Sequence, residues 1–412
     1  MQTISRRHAL RLAGTWTAAV ATASRAVAED KTLTIGMSFP LTGSLALQAA
    51  VARDAVLYAI DEANGKGGVG GYKIRALVLD DASATTGQYD PALAATNARK
   101  MLEDGTVIAA VGPLNSGSAK AVCPVLSQGG MATVSGSATN PDLSNPKFAA
   151  VYRPAGPPVF FRTVTTDAYQ GPNFANFLAE IRHIQKVTVL DDSGAYGVGM
   201  ADAFAAQAVK KGMTVVIRDR LDPLNADYTA ILTRAKSLDT QALYYGGDPL
   251  AGTKVVKQSY EIIPQAVKGG GDGVHTPDML AGGAMPAING WYATSAAAHV
   301  LDEPQVQPWV QRFVAKTGKQ PADYSITYYD ATRVVLDAIA RVAKSGRPVT
   351  RAAVRDAIQA TKLDTLQGPV SFDGNGDLTS KTVSIFQVQY DPKYPIGDVI
   401  HQFKYVGVAP DA

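Results

Sequence analysis

Short runs rich in β-branched and other apolar residues alternate with longer runs of helical spacing, and this alternation constrains the fold more than any other feature of the chain. Leu33–Ser38 reads as a strand and Leu45–Asn64 as a helix with apolar residues at helical spacing. The glycine-rich stretch Gly65–Gly71 stops that helix and turns the chain into a second strand, Tyr72–Asp80. A helix at Asp90–Leu102, a strand at Thr106–Val111, a helix at Ser116–Gln128 and a strand at Ala132–Ser135 follow. Such βαβα succession predicts an α/β fold with a parallel sheet covered on both faces.

The pattern restarts after Pro154–Pro158. Helices at Gly171–Ile181, Gly199–Lys211 and Tyr228–Ser237 interleave with strands at Lys186–Leu190, Met213–Arg218 and Ala242–Gly246, making a second doubly wound half. Beyond Gly290 the spacing predicts helices around Glu303–Lys316, Tyr324–Ser345 and Thr350–Ala360. Strands near Pro369–Phe372 and Thr382–Tyr390 then read as an antiparallel pair closing across Gly374-Asn375-Gly376. A length of 412 residues also favours two cores over one.

Charge divides unevenly. The formal net charge is +3, yet residues 1–28 carry Arg6, Arg7, Arg11 and Arg25 without an acid, so the rest of the chain is nearly neutral. A neutral body gives no electrostatic reason to expect nucleic-acid binding. The basic start, a modestly apolar Leu12–Ala23 and the small-residue triplet Ala26-Val27-Ala28 read as an export signal cleaved after Ala28. The adjacent Arg6 and Arg7 point to the twin-arginine route. No later segment offers the ~18 consecutive apolar residues of a membrane span, and no cysteine near the cleavage point is available for lipid attachment. A soluble periplasmic chain without a membrane anchor is the expectation. The single cysteine, Cys123, excludes an intrachain disulfide and a cysteine-cluster metal site.

Ligands of open α/β sheets bind outside the carboxyl ends of the strands. Three strand-to-helix turns qualify. Gly112–Ser118 places Ser116 where a helix cap would sit, with free N–H groups that favour an anion. Ser135–Asn140 offers Ser137 and Thr139, and Asp191–Gly197 carries Tyr196 among small residues. Each of these residues also has an ordinary reading, as a helix cap, a turn former or a packing aromatic. No HExxH, Gly-x-Ser-x-Gly or phosphate loop occurs, and Gly65–Gly71 follows a helix where a dinucleotide fingerprint needs a strand. Asp80 and Asp81 lack a third ligand nearby, so a turn or capping role is preferred to a metal. No enzyme, metal or cofactor is expected.

The stretches IGMSFPLTGSLA, DEANGKGGVGGYKIRALVLDDAS, AAVGPLNSGSAKAV, VSGSATNPDL, YQGPNFANFL, DDSGAYGVGMADAF, NADYTAIL, LYYGGDP, GGDGV and DTLQGPVSFDGNGDL occur in that order over roughly residues 32–390. In this the sequence resembles the type I periplasmic solute-binding proteins of ABC importers, in their leucine/isoleucine/valine-binding branch. The resemblance implies two Rossmann-like lobes joined by a three-strand hinge. The crossovers would fall near 153–157, 294–298 and 378–384. Residues 31–154 with 297–380 would form the first lobe, and 155–296 with 381–412 the second.

The resemblance also implies a binding site. Ser116 matches the residue that binds a ligand carboxylate through hydroxyl and amide. Ser137, Ala138 and Thr139 fall in the turn whose carbonyl and hydroxyl groups hold ammonium and carboxylate, Tyr196 matches the aromatic that covers the ligand on closure, and Asp272 matches the acid that neutralises the ammonium. Asp272 stands where that branch has Glu. Asp248 replaces a tyrosine, Gln48 or Leu47 replaces an aromatic, Tyr324 sits where a pocket Phe would lie, and Ser83 and Asn115 replace a disulfide pair. The implied function is capture of an amino acid, branched-chain by that branch, and its delivery by a monomeric receptor to ABC permease subunits. An amide, urea-like or aromatic carboxylate solute, a more polar or basic amino acid should Asp248 face the cleft, and a periplasmic sensor role stand as alternatives.

Overall fold

A computed structural model describes residues 31–412, so the expected export signal and its cleavage point lie outside the described residues. Strand Thr32–Phe39 is buried along almost its whole length, which suits a central parallel strand covered by helices on both faces. It pairs in parallel with Lys73–Asp80 on one side and Val107–Val111 on the other. Thr133–Ser135 and Phe160–Arg162 complete a five-stranded parallel sheet. Helices Ala46–Gly65 and Asp323–Lys344 pack one apolar core against it, and Pro91–Glu103 with Ser116–Gln128 pack another. Pro91–Glu103 begins where the sequence dictates: Asp90 accepts from the N–H groups of Ala92 and Leu93, and Pro91 occupies the first turn, where its missing N–H costs nothing.

The second lobe is a seven-stranded sheet. Thr214–Arg220, Lys186–Asp191, Ala242–Gly246, Val267–Gly270 and Tyr292–Ser295 lie in that spatial order and are parallel. Ser384–Val388 and Phe403–Val408 then join antiparallel at the edge next to Tyr292–Ser295. Two elements in the segment that the pattern reading left unassigned, helix Pro249–Ile262 and strand Val267–Gly270, complete the alternation here.

Two expectations are corrected. Phe160–Arg162 pairs with Thr133–Ser135, so the first sheet reaches past the expected boundary at 154, and the chain leaves it only after Arg162. The strand near Pro369–Phe372 does not pair with the one near Thr382–Tyr390. Gly368–Ser371 instead forms a tight hairpin with Lys362–Thr365, while Ser384–Val388 belongs to the second lobe's sheet. The physical reason lies partly far away in the chain. The Asp330 carboxylate accepts from the N–H groups of Leu366 and Gln367 at 3.2 and 3.1 Å, and Gly368 adopts the positive φ of 100° that the turn requires. Across Gly374–Gly376 there is only a single bridge, between Phe372 and Leu378. The strand-end Asp80 shapes a turn, accepting from the N–H groups of Leu41 and Ala82, each at 2.9 Å. Asp81 is fully buried and accepts from Ser38.

The connections between lobes are tied by buried charge. Arg162 is completely buried; its guanidinium meets Asp377 at 2.7 Å and donates to the carbonyls of Ala138 and Asn140, both at 3.0 Å. Removing one member of such a pair leaves an uncompensated buried charge, at a cost of about 3–5 kcal/mol. After strand Tyr292–Ser295, His299 bonds Asp323 at 2.8 Å and Asp302 at 3.2 Å. Burial alone would suppress charge on His299, but its hydrogen bonds and attraction to Asp323 and Asp302 outweigh that and raise its pKa to about 9. Folding therefore raises this pKa above its unfolded value of about 6.5. The associated stabilisation is complete below about pH 6.5 and is lost as pH climbs through 9. We expect the melting temperature to fall between pH 7 and 9.5, and the fall to flatten in His299→Gln; a wild-type slope retained by that variant would remove His299 as its cause.

Candidate functional site

The carboxyl ends of the two sheets face each other across a small cleft. The first lobe contributes Gln48, Leu114, Asn115, Ser116, Ser137 and Tyr324, and the second contributes Tyr196, Asp248, Asp272 and Gly273. Gln48, Ser116, Ser137, Tyr196, Asp248, Asp272 and Tyr324, all singled out from sequence, thus share one cavity.

Ser116 opens the helix Ser116–Gln128 at its first position; the cap is Asn115, one residue earlier than the sequence placed it. Asn115 makes no side-chain cap bond, so that side chain leaves the first-turn N–H groups open to another acceptor. Ser116 Oγ accepts from the N–H of Asn140 at 3.2 Å, which leaves its own O–H free to donate. A carboxylate placed here meets a hydroxyl donor, amide donors and the positive end of a 13-residue helix. Ser137 uses its hydroxyl elsewhere, on the carbonyl of Leu114 at 2.7 Å and on Tyr328 at 2.6 Å, so what it can offer a ligand is its main-chain carbonyl.

Ala138 and Thr139 do not line the cavity. The Ala138 carbonyl is taken by Arg162, and its methyl packs with Ala119, Cys123, Leu143 and Phe160, which removes it from the expected site. Thr139 is fully buried; its carbonyl accepts from the N–H of Asp167, and its hydroxyl has no hydrogen-bond partner among the described residues. Of the two candidates for the lost aromatic, Gln48 lines the cavity and Leu47 is 49% exposed.

Asp272 is buried and receives two short hydrogen bonds, from Tyr196 at 2.6 Å and from Tyr324 at 2.5 Å. Tyr324 belongs to the first lobe, so its bond to Asp272 spans the cleft. Burial raises the Asp272 pKa, and the two tyrosine donors work against that rise. The loop permits this approach because it is glycine on both sides: a Cβ at Gly271 would stand 2.4 Å from the Tyr196 hydroxyl, and one at Gly273 would strike the carbonyl of Gly247 at 2.3 Å. A carboxylate has about four acceptor positions, so two tyrosines leave capacity for a ligand's ammonium.

Other cross-cleft bonds close the site. Asn115 donates to Asp248 at 3.2 Å, and Asn140 donates to the carbonyl of Ala195 at 2.8 Å. Asp278 accepts from the N–H groups of Leu47 and Gln48 at 3.1 and 2.9 Å. Helix Ala46–Gly65 has no side-chain cap of its own, so the opposite lobe caps it in trans. Sequence reasoning missed Asn115 and Asp278 as functional residues. Asn115 carried a usable signal in its position just before a helix on a carboxyl-end turn, whereas nothing local marks Asp278. Among the described residues there is no group of three or more His, Cys, Asp or Glu arranged to hold a metal, and no helix long and apolar enough to cross a membrane.

Comparison with known proteins agrees with this fold. The chain is similar to a Leu/Ile/Val-binding protein, BraC3, of Rhizobium johnstonii, 31% identical over 86% of this chain and 91% of that one. A leucine-, isoleucine-, valine-, threonine- and alanine-binding protein of Pseudomonas aeruginosa is 27% identical over 90% and 93%. Among solved structures, a leucine-binding protein, LivK, of Thermotoga maritima shares the fold with a TM-score of 0.78, 22% identity and coverage of 92% of this chain and 99% of that one. LivJ of Streptococcus pneumoniae, solved with isoleucine, gives 0.76, 21%, 93% and 100%. The periplasmic binding protein family matches residues 32–393, and with two facing α/β lobes around a buried polar cleft, this chain belongs to that family.

Proposed function

We propose that this protein is the extracytoplasmic receptor of an ABC importer, capturing an amino acid of branched-chain size between its lobes and releasing it to a membrane permease. The observation that carries the reading is the pairing, in one cavity, of an anion-accepting helix start at Ser116 with the buried carboxylate of Asp272. These are complementary to the two charges of a zwitterion, and charge-assisted bonds strengthen in a closed, water-poor cleft. A relative named for leucine, isoleucine and valine, and another named for these with threonine and alanine, support a small uncharged side chain. An aromatic carboxylate is disfavoured, because it would confront Asp272 without a cation. In this reading no bond is made or broken, the receptor acts as a periplasmic monomer, and the rims of both lobes dock on the permease pair.

Ligand contact with both lobes stabilises the closed state, so binding and hinge closure are one equilibrium. Calorimetric titration and thermal shift of the purified protein against amino acids, aromatic acids and amides test the reading, since a tight ligand raises the melting temperature by mass action. We expect a shift with an amino acid and none with benzoate. No response to any amino acid would defeat the assignment. Asp272→Asn is expected to weaken amino-acid binding by about 1.5–3 kcal/mol, the scale of a hydrogen bond to a charged group; unchanged affinity would exclude Asp272 as the ammonium partner. Ser116→Ala should weaken binding about tenfold while leaving the fold intact by circular dichroism. For Asp278→Ala we expect a several-fold loss of affinity and a larger ligand-free radius of gyration by X-ray scattering, from loss of a helix-start contact worth about 0.3–1 kcal/mol; identical scattering and affinity would mean that the trans cap does not favour closure.

A further inference from the structure

Asp248 occupies the cap position of helix Pro249–Ile262, yet its side chain makes no cap bond. The carboxylate turns away from the first turn of its own helix and into the cleft, where the one hydrogen bond it receives among the described residues comes from Asn115 of the other lobe. Asn115 lines the same cavity, and its Oδ1 is buried without a partner. Gln48, also lining the cavity and buried, makes no side-chain hydrogen bond among the described residues. Only Leu114 adds an aliphatic wall to this set.

An acidic side chain that forgoes its usual partner, beside an acceptor with none, describes a subsite waiting for a donor. We propose that the cleft selects a short amino acid whose side chain carries a hydrogen-bond donor, with Asp248 and Asn115 as the specificity residues, and that it discriminates against the aliphatic isostere. The proposal rests on the amino-acid reading above and narrows the side chain within it. Threonine and valine are the decisive pair: they match in size and branching, and a hydroxyl replaces a methyl. In an apolar pocket the methyl is favoured. In this one, valine would cover Asn115 Oδ1 without pairing it and would add nothing to the single bond that Asp248 receives, and leaving a buried polar group unpaired is what makes such sites reject isosteres strongly. Burial and the neighbouring carboxylates of Asp192 and Asp272 push the pKa of Asp248 well above the ordinary range.

The test is isothermal titration of the purified wild-type protein with L-threonine and L-valine, repeated on Asp248→Leu and Asn115→Leu. We expect threonine to bind at least tenfold more tightly than valine to the wild type, and the preference to collapse or invert in both variants. Valine binding as tightly as threonine to the wild type overturns the proposal while leaving the amino-acid receptor reading intact, and this comparison does not depend on either variant folding. A threonine preference that survives in both folded variants overturns the assignment to Asp248 and Asn115. Failure of every amino acid to bind overturns the receptor reading and this proposal together.

Discussion

A carboxylate buried in a cleft that offers it no cation is the constraint around which this structure is arranged. Asp272 is shielded from water, and what supports its charge is a pair of tyrosine hydroxyls, one from each lobe. Hydrogen bonds moderate the desolvation of a buried acid without cancelling it. The remaining deficit is best met by a positively charged group, which must arrive with the ligand. The glycines beside Asp272 follow from the same requirement, because side chains there would hold Tyr196 and the facing backbone away from the carboxylate.

Closure and recognition use the same bonds. Tyr324 with Asp272, Asn115 with Asp248, Asn140 with the carbonyl of Ala195, and Asp278 with the start of helix Ala46–Gly65 all cross the cleft. Each is modest by itself, and a hinge needs them to be modest: the closed state must form when a guest adds its contacts and reopen when the guest leaves. The contrast with Arg162 is instructive. Its guanidinium is fully buried and fully engaged where the chain leaves the first sheet, so it fastens a connection that has no reason to open.

Much of the fold was legible because parallel α/β sheets write a simple pattern, with buried runs for strands and amphipathic runs for helices. Helix Ser116–Gln128 and strand Ala242–Gly246 have the bounds that pattern implies. It was least informative where pairing is non-local. Phe160–Arg162 is three residues long and gains its identity from Thr133–Ser135, and the partner of Gly368–Ser371 depends on Asp330 reaching a turn 36 and 37 residues away. Within the site, family position located Ser116, Tyr196 and Asp272 in the cavity, but it could not show that Arg162 would claim the carbonyl of Ala138.

Residue order by itself determined that two doubly wound halves would form and which turns would lie at their strand ends, because backbone periodicity and helix starts are local properties. Only the folded chain decided which side chains meet across the cleft: that Asp248 abandons its own helix for Asn115, that Gln48 faces inward while Leu47 faces water, and that Asp278 caps a helix of the other lobe. Those pairings join residues far apart along the chain, and the relative placement of two sheets is set by packing at the connections between them, which no local pattern records.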